Sequence, residues 1–431
     1  MARTERLDID LDLVDVAGEH GALFERRSRG LAGLATMPTG PASAAALGPL
    51  TVTVPRSSPG AAAEAIHDLL AAFQVEDAVG LPGCGPVAMG ALPFSPDEPG
   101  DLLIPAVTIG RADNGTRWIT TIGPVDASAE DRQVTTAHIR DALIDRAEAN
   151  RSSGVAMPAS DFRVASTRDP LDWCAMVAAA RDELRRGSVR KVVLAREVVV
   201  SSDRPLSRQA VLSRLRRAYP SCMLYAHGGF VGATPELLVS RVGDIVRSHP
   251  MAGTVARSAD PTTDARLAAA LLSSAKDREE HRITIDMVHD TLLPYCSYLD
   301  EEAEPSVVVM ANVQHLATMV EGRLSAPAAS VVELMTALHP TPAVCGSPRD
   351  DALEMISRLE GFDRSRYAGP VGWVDAAGNG EWAVGIRCAE IDADRARLFA
   401  GVGVVADSDP AAELAETQAK FQALLSAVVR P

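Results

Sequence analysis

Residues 190–200, Arg-Lys-Val-Val-Leu-Ala-Arg-Glu-Val-Val-Val, put six β-branched or leucine positions into eleven residues. A run of that kind reads as a strand buried on at least one face, so the chain must build a sheet with something packed over it. Short apolar strands follow at 223–231, 237–242 and 244–248, joined by Gly and Pro turns, which predicts an antiparallel meander. More are expected at 306–310, 314–321, 369–374, 381–390 and 397–405, with 375–380 turning two of them into a hairpin. Helices are expected at 61–73, 127–150, 169–186, 207–218 and 262–293, and from Asp409-Pro410, a helix-start signal, to about Val429. Hairpins mixed with helices point to an α+β fold and away from a doubly wound one.

The front of the chain is less regular. Strands are expected near 87–92, 102–109 and 117–122. Residues 1 to about 60 are rich in Ala, Gly and Pro and poorly periodic, above all 37–59, so parts of the first 40 or so are expected to be mobile. Arg151-Ser152-Ser153-Gly154 is the best linker candidate, separating residues 1–150 from 160–431.

With 431 residues the chain has ample core for one large domain or two ordinary ones. No apolar run reaches membrane-span length, and residues 1–17 alternate Asp with Leu and Ile where a signal peptide would be basic and then apolar, so a cytoplasmic location is expected. Six scattered cysteines without a CxxC pair read as reduced thiols. A net charge of −15 argues against nucleic acid and anionic membranes as partners, and an anionic substrate would need a locally positive pocket or a metal ion.

Lysine usage narrows the search. Of 42 basic residues only Lys191, Lys276 and Lys420 are lysines, and each falls in a dense polar motif. A buried lysine can act as a base where arginine cannot, and its compact ammonium fits tighter sites. Around Lys276, Asp277 and Glu280 share one helix face. On the last helix Glu413, Glu416 and Lys420 share another. Two helices each offering a carboxylate pair suit a hard divalent cation, Mg²⁺ being the natural candidate. The same spacing also serves a solvated face with ion pairs along the helix, and periodicity alone favours that plainer reading.

Other motifs are weaker alone. Glu236, in Gly-Ala-Thr-Pro-Glu beside apolar residues, could be desolvated into a proton-holding general acid, or could be an ordinary surface carboxylate. Gly253 and Thr254 could offer a backbone N–H and a hydroxyl to an oxyanion. Gly401-Val402-Gly403 could let backbone approach a ligand. His315, Tyr367 and Arg387 are polar residues within or beside apolar strands, where a structural role is commoner.

Together these strings resemble the chorismate-utilising enzyme family, and within it the isochorismate synthases. The matching pieces, KVVLAREV, GATPELLVSR, HPMAGT, SAKDREEH, VQHLATMVEGRL, LHPTPAVCGSP, EGFDRSRYAGPVGW, GNGEWAVGIRCAEI, GVGV and AELAETQAK, run in the family's order from about residue 165 to the end. The first 150 residues resemble the family's variable half, which contributes to the same fold. The resemblance implies two stacked, mostly antiparallel sheets with helices outside and a chorismate site in a cleft. It implies Mg²⁺ held by Glu280 and Glu416, with Glu413 and Asp277 in support. Substrate contacts would come from Gly253, Thr254, His315, Tyr367, Arg387, Gly401, Gly403 and Lys420.

The family divides by nucleophile. Lys191 stands where the ammonia-using members have glutamine, and Ala252 where aminodeoxychorismate synthase has a nucleophilic lysine. Water is therefore the expected nucleophile, with Lys191 as base, Glu236 as acid at the departing hydroxyl, no glutaminase partner, and a monomer expected. Two departures are Thr254-Val255-Ala256-Arg257, where many relatives carry arginine and proline, and Glu279, where histidine is frequent. Neither removes a proposed catalytic group. The rivals are a salicylate synthase, from which the 338–343 string diverges, and a non-catalytic chorismate-binding subunit. The sequence leaves siderophore and menaquinone pathways equally open.

Overall fold

A computed structural model describes residues 1–36, 50–55, 58–125, 129–153, 161–258 and 260–429. Among these residues the strands form three sheets. The largest has 13 strands, and its middle joins strands from the two halves of the chain. Running outward from Phe162–Ser166 come Lys191–Ser202, Arg395–Val404, Cys388–Asp392, Phe230–Thr234 and Met223–His227. These meet Ala22–Arg26, Arg29–Leu34, Val107–Arg111, Arg117–Ile122, Ala2–Arg6 and Val75–Asp77. The second sheet, of nine strands, likewise joins Val87–Ala91, Gly100–Ile104 and Leu50–Val54 to strands from 237–384. The pairing is antiparallel throughout these sheets except between Ala2–Arg6 and Val75–Asp77. The fold is α+β, as the hairpin pattern predicts.

One apolar core joins the two large sheets, bringing Tyr225 and Phe230 together with Val371 and Trp382. A second core packs the outer face of the 13-stranded sheet against the helices Arg208–Ala218 and Pro410–Val429, through residues such as Val198, Leu212 and Phe421. That packing sets the last helix beside the Lys191 strand. Among the described residues no helix is long and apolar enough to cross a membrane.

Several elements differ from the expected ones for identifiable reasons. The first 34 residues, whose weak periodicity suggested partial mobility, include three strands and the helix Leu13–Ala17. The inner two, Ala22–Arg26 and Arg29–Leu34, run almost continuously buried and so show no alternation. Most of the 37–59 stretch, and Gly154 of the linker candidate, lie outside the described residues, and the helix before them runs to Ser153. The expected strands 102–109, 223–231, 314–321 and 381–390 are each two strands joined by a tight turn or short link.

The expected helix 262–293 is also two, Pro261–Ser273 and Ala275–Leu292. Ser274 ends the first in extended backbone and caps the second, its hydroxyl accepting from the Asp277 N–H at 3.2 Å. A new helix start is thereby placed just before Asp277 and Glu280. Asp409 does the same for the last helix, accepting from the N–H groups of Ala411 (2.9 Å) and Ala412 (2.8 Å) ahead of Glu413. Both acidic pairs thus sit in early helical turns, where the helix dipole favours negative charge.

Candidate active site

A cavity of about 240 Å³ opens between the two helix starts and the ends of the surrounding strands. Ligand pockets usually run roughly 300–1,000 Å³, so this one suits a compact molecule. Its walls include Glu236, Gly253, Thr254, Asp277, Glu280, His315, Tyr367, Arg387, Gly401, Gly403, Glu413, Glu416 and Lys420, so all but one of the site residues named from the sequence line one cavity. The exception is Lys191, which lies just behind the wall with no exposed surface.

Every lysine in the chain is here, and each faces a carboxylate. Lys191 Nζ stands 2.9 Å from Glu280 Oε1, an ion-pair distance without the alignment of a hydrogen bond. Lys276 Nζ stands 3.5 Å from Glu413 Oε1, and Lys420 Nζ 2.5 Å from Glu416 Oε1. Lys420 also donates to the Gly401 carbonyl at 2.8 Å, tying the last helix to the strand Arg395–Val404. The pairing of Lys276 was not among the expected site contacts, although its rarity as a lysine was the available signal.

The acids carry more charge than the lysines balance. Burial pushes the Asp277 and Glu413 carboxyls above their ordinary range, and repulsion from Glu280 and Glu416 adds to it. Glu280 goes the other way. Burial would raise it, but Lys191, Lys420 and Lys276 together hold it below the ordinary range. Four clustered oxygen donors that repel one another are the donor chemistry of a hard divalent cation. Among the described residues no three of them converge on one point, and Glu413 and Glu416 are each paired with a lysine.

Glu236 sits opposite. The turn between Phe230–Thr234 and Leu237–Val242 carries it, and it is only 3% exposed. Oε1 has no hydrogen-bond partner. Burial pushes its carboxyl up against the pull of Lys191, the Met251 backbone, Arg387 and Lys420, to about 7. The surface-carboxylate alternative is excluded for this residue. A cavity-lining carboxyl that keeps its proton near neutrality and has an oxygen without a partner is equipped to donate that proton.

The remaining wall is a hydrogen-bonded chain. Arg387 Nη2 donates to His315 Nε2 at 3.1 Å, which makes the opposite nitrogen the protonated one. Nδ1–H then donates to the Thr254 hydroxyl at 3.0 Å and lies 3.4 Å from the Gly253 carbonyl, leaving the Thr254 proton free for a ligand. Burial and the nearby Arg387 and Lys420 push His315 well below its usual range, so it stays neutral. Gly253 therefore turns its carbonyl toward His315. Its φ of 78° forms a bulge between Ala252 and Thr254 that other residues would resist. Tyr367 stacks on Phe399, ring centroids 5.1 Å apart, beside Gly401.

Gly403 does more than bring backbone near a ligand. A Cβ there would stand 2.5 Å from Glu280 Oε1 and 2.9 Å from Lys191 Cε, so its bareness makes the space in which that pair meets. Sequence reasoning also missed Val193, Met251, Val344 and Ile386, apolar wall residues that carry no signal distinguishing them from core. A roomier cavity of about 400 Å³ lies beside Trp173 and Arg196; of its four acids Glu197 and Glu360 are committed to Arg397 and Arg364, Asp169 caps the following helix, and Asp172 lies in that helix's first turn.

A family model described as chorismate binding enzyme matches residues 43–429. The isochorismate synthase DhbC of Bacillus subtilis is 36% identical over 354 residues, covering 80% of this chain and 81% of that protein. A putative isochorismate synthase MenF of Mycobacterium tuberculosis is 40% identical over 361 residues, covering 80% and 87%. The crystal structure of a putative 2,3-dihydroxybenzoate-specific isochorismate synthase, DhbC from Bacillus anthracis, superposes with a TM-score of 0.75 at 31% identity. That match covers 96% of this chain and 98% of the other.

Proposed function

This chain belongs to the chorismate-binding enzyme family, and from that premise we propose that it isomerises chorismate to isochorismate, adding water at C2 and expelling the C4 hydroxyl. The observation that carries the reading is the pairing of a buried lysine and a buried, proton-holding carboxyl at one cavity, Lys191 and Glu236. Ala252, at the position of the covalent lysine in aminodeoxychorismate synthase, leaves water as the nucleophile.

In this reading Lys191, having given up the proton it carries in the ion pair with Glu280, takes a proton from water as oxygen bonds to C2. Both ring double bonds shift, C1=C2 to C1=C6 and C5=C6 to C4=C5, and the C4–O bond breaks as Glu236 delivers its proton to the leaving hydroxyl. One water enters and one leaves, so the change is an isomerisation. Arg387 pairs with a substrate carboxylate, and the Thr254 hydroxyl donates to a second acceptor. Tyr367 and the Gly401 backbone border the ring. Mg²⁺ held by Glu280 and Glu416, with Glu413 and Asp277 in support, would neutralise the ring carboxylate and reverse the local potential of an acidic protein. No partner subunit is required to supply ammonia.

Incubating the protein with chorismate, with and without Mg²⁺, and identifying products by chromatography tests the assignment. Isochorismate formed only with Mg²⁺ supports it. Salicylate and pyruvate without an added lyase would make it a salicylate synthase, and bound but unconverted chorismate a non-catalytic subunit.

A further inference from the structure

Arg387 holds an unfavourable backbone conformation. Its φ is 52°, in the left-handed region that residues with side chains rarely occupy, and it sits in the short link between Gly380–Val384 and Cys388–Asp392. Strain of this kind persists where the surroundings over-determine it. Here the contacts come from the hairpin of Met223–His227 and Phe230–Thr234. The Tyr225 hydroxyl donates to the Ile386 carbonyl at 2.9 Å, and the Ala233 N–H to the Arg387 carbonyl at 3.2 Å.

Tyr225 reaches that carbonyl because of what stands opposite it. Its cross-strand partner is Gly232. A Cβ at Gly232 would collide with the Tyr225 hydroxyl and lie 2.8 Å from the Arg387 carbonyl oxygen. The first residue of Gly232-Ala233-Thr234-Pro235-Glu236 thus serves the arginine, while the last serves as acid. Tyr225 itself is fully buried, its ring centroid 5.3 Å from that of Phe230, and it meets the cavity wall from behind, through Ile386, without lining the cavity.

We propose that Tyr225 is a positioning residue, its hydroxyl reaching across Gly232 to lock the Ile386–Arg387 link so that the Arg387 guanidinium points into the cavity and onto His315. The inference rests on Arg387 being the arginine that pairs with a substrate carboxylate. Without the hydroxyl, the Ile386 carbonyl loses its donor and Arg387 is free to relax toward ordinary backbone angles. Substrate affinity then falls, while the groups that move protons, Lys191 and Glu236, are untouched.

Steady-state kinetics on Tyr225→Phe, Arg387→Met and the double variant test it, with thermal unfolding of each as a control. Tyr225→Phe is expected to raise KM for chorismate about tenfold, the size of one lost hydrogen bond at a buried carbonyl, with kcat within twofold. Arg387→Met should raise KM at least as far, and the double variant should be no worse than Arg387→Met alone, because both act through one guanidinium. Gly232→Ala should give the same KM signature. A Tyr225→Phe KM within twofold of wild type beside a raised Arg387→Met KM overturns the proposal. Multiplicative effects in the double variant, or a kcat loss exceeding the KM rise, overturn it too. An unchanged KM in Arg387→Met would sink the carboxylate-pairing role first and the positioning with it.

Discussion

Gly403 and Glu280 share a space that only one side chain can fill, since a Cβ on the glycine would stand 2.5 Å from Glu280 Oε1. The strand and the helix carrying them meet at the Lys191 ammonium, and the acid pairs with it there because the strand offers nothing but backbone. Gly403→Ala must push either Glu280 or Lys191 Cε aside. The expected result is a loss in kcat of about a hundredfold, the usual cost of displacing a catalytic group by about an ångström, with the fold retained. Circular dichroism and product quantification on the same sample check it. Near-normal turnover would mean that the pair has room to spare.

Lys191 has Glu280 as its near neighbour and no solvent. Lys191→Met keeps the stem's packing and removes only the amine. Isochorismate formation should fall by about 10²–10⁴-fold, the usual contribution of a general base. Turnover of chorismate near the wild-type rate, measured at saturating substrate and Mg²⁺, would remove Lys191 from the base role.

Glu236 predicts two pH effects with one origin. In the acid role proposed for it, Glu236 must be protonated, so kcat should decline as pH rises through about 7, and Glu236→Gln should abolish turnover at every pH. Its folded pKa is raised above the unfolded value, so between about 4.5 and 7 the native state binds the extra proton. The stability this contributes is fully present below the unfolded pKa and is lost as pH climbs through the folded one. Thermal unfolding from pH 5 to pH 8 should therefore show a smaller fall in Tm for Glu236→Gln than for wild type. Equal slopes would show that the carboxyl is ionised in the fold.

Much of this site was readable in the residues because its chemistry depends on rare choices. Three lysines in 431 residues, each beside acids, are a conspicuous signal, and all three converge. Helix spacing placed Asp277 with Glu280 and Glu413 with Glu416 before any fold was known. What spacing could not supply was the relation between the two helices, which a cap at Ser274 and the packing of Phe421 against the sheet determine. The interior strands at 22–34 escaped notice because burial on both faces erases alternation. The roles of Tyr225 and Gly232 were illegible for another reason. They act through the Ile386 carbonyl, 161 residues from Tyr225 in the chain, and no local pattern encodes a hydrogen bond to a backbone oxygen.

The strand that begins at Lys191 depends on a buried ion pair in place of a neighbour. Arg395–Val404 pairs with it along one side, but on the other side Phe162–Ser166 reaches only 198–202, and Gly346–Ser347 only 191–192. Glu360 and Arg364 help to fill the gap. Glu360 Oε1 accepts from the Ala195 N–H at 2.7 Å, and Arg364 donates to the carbonyls of Val193 and Val344, both at 2.8 Å. The two side chains also pair with each other at 2.5 Å, almost entirely out of solvent. Arg364→Met should cost about 3–5 kcal/mol, because it strands a buried carboxylate as well as two carbonyls. Replacing both with Met and Leu removes the stranded charge, but the Ala195 N–H and the Val193 and Val344 carbonyls remain unmet. The double variant should accordingly recover only part of the loss, as read from chemical-denaturant midpoints at constant m. Full recovery would mean that the pair is ordinary core filling, and that the Lys191 strand needs no partner on that side.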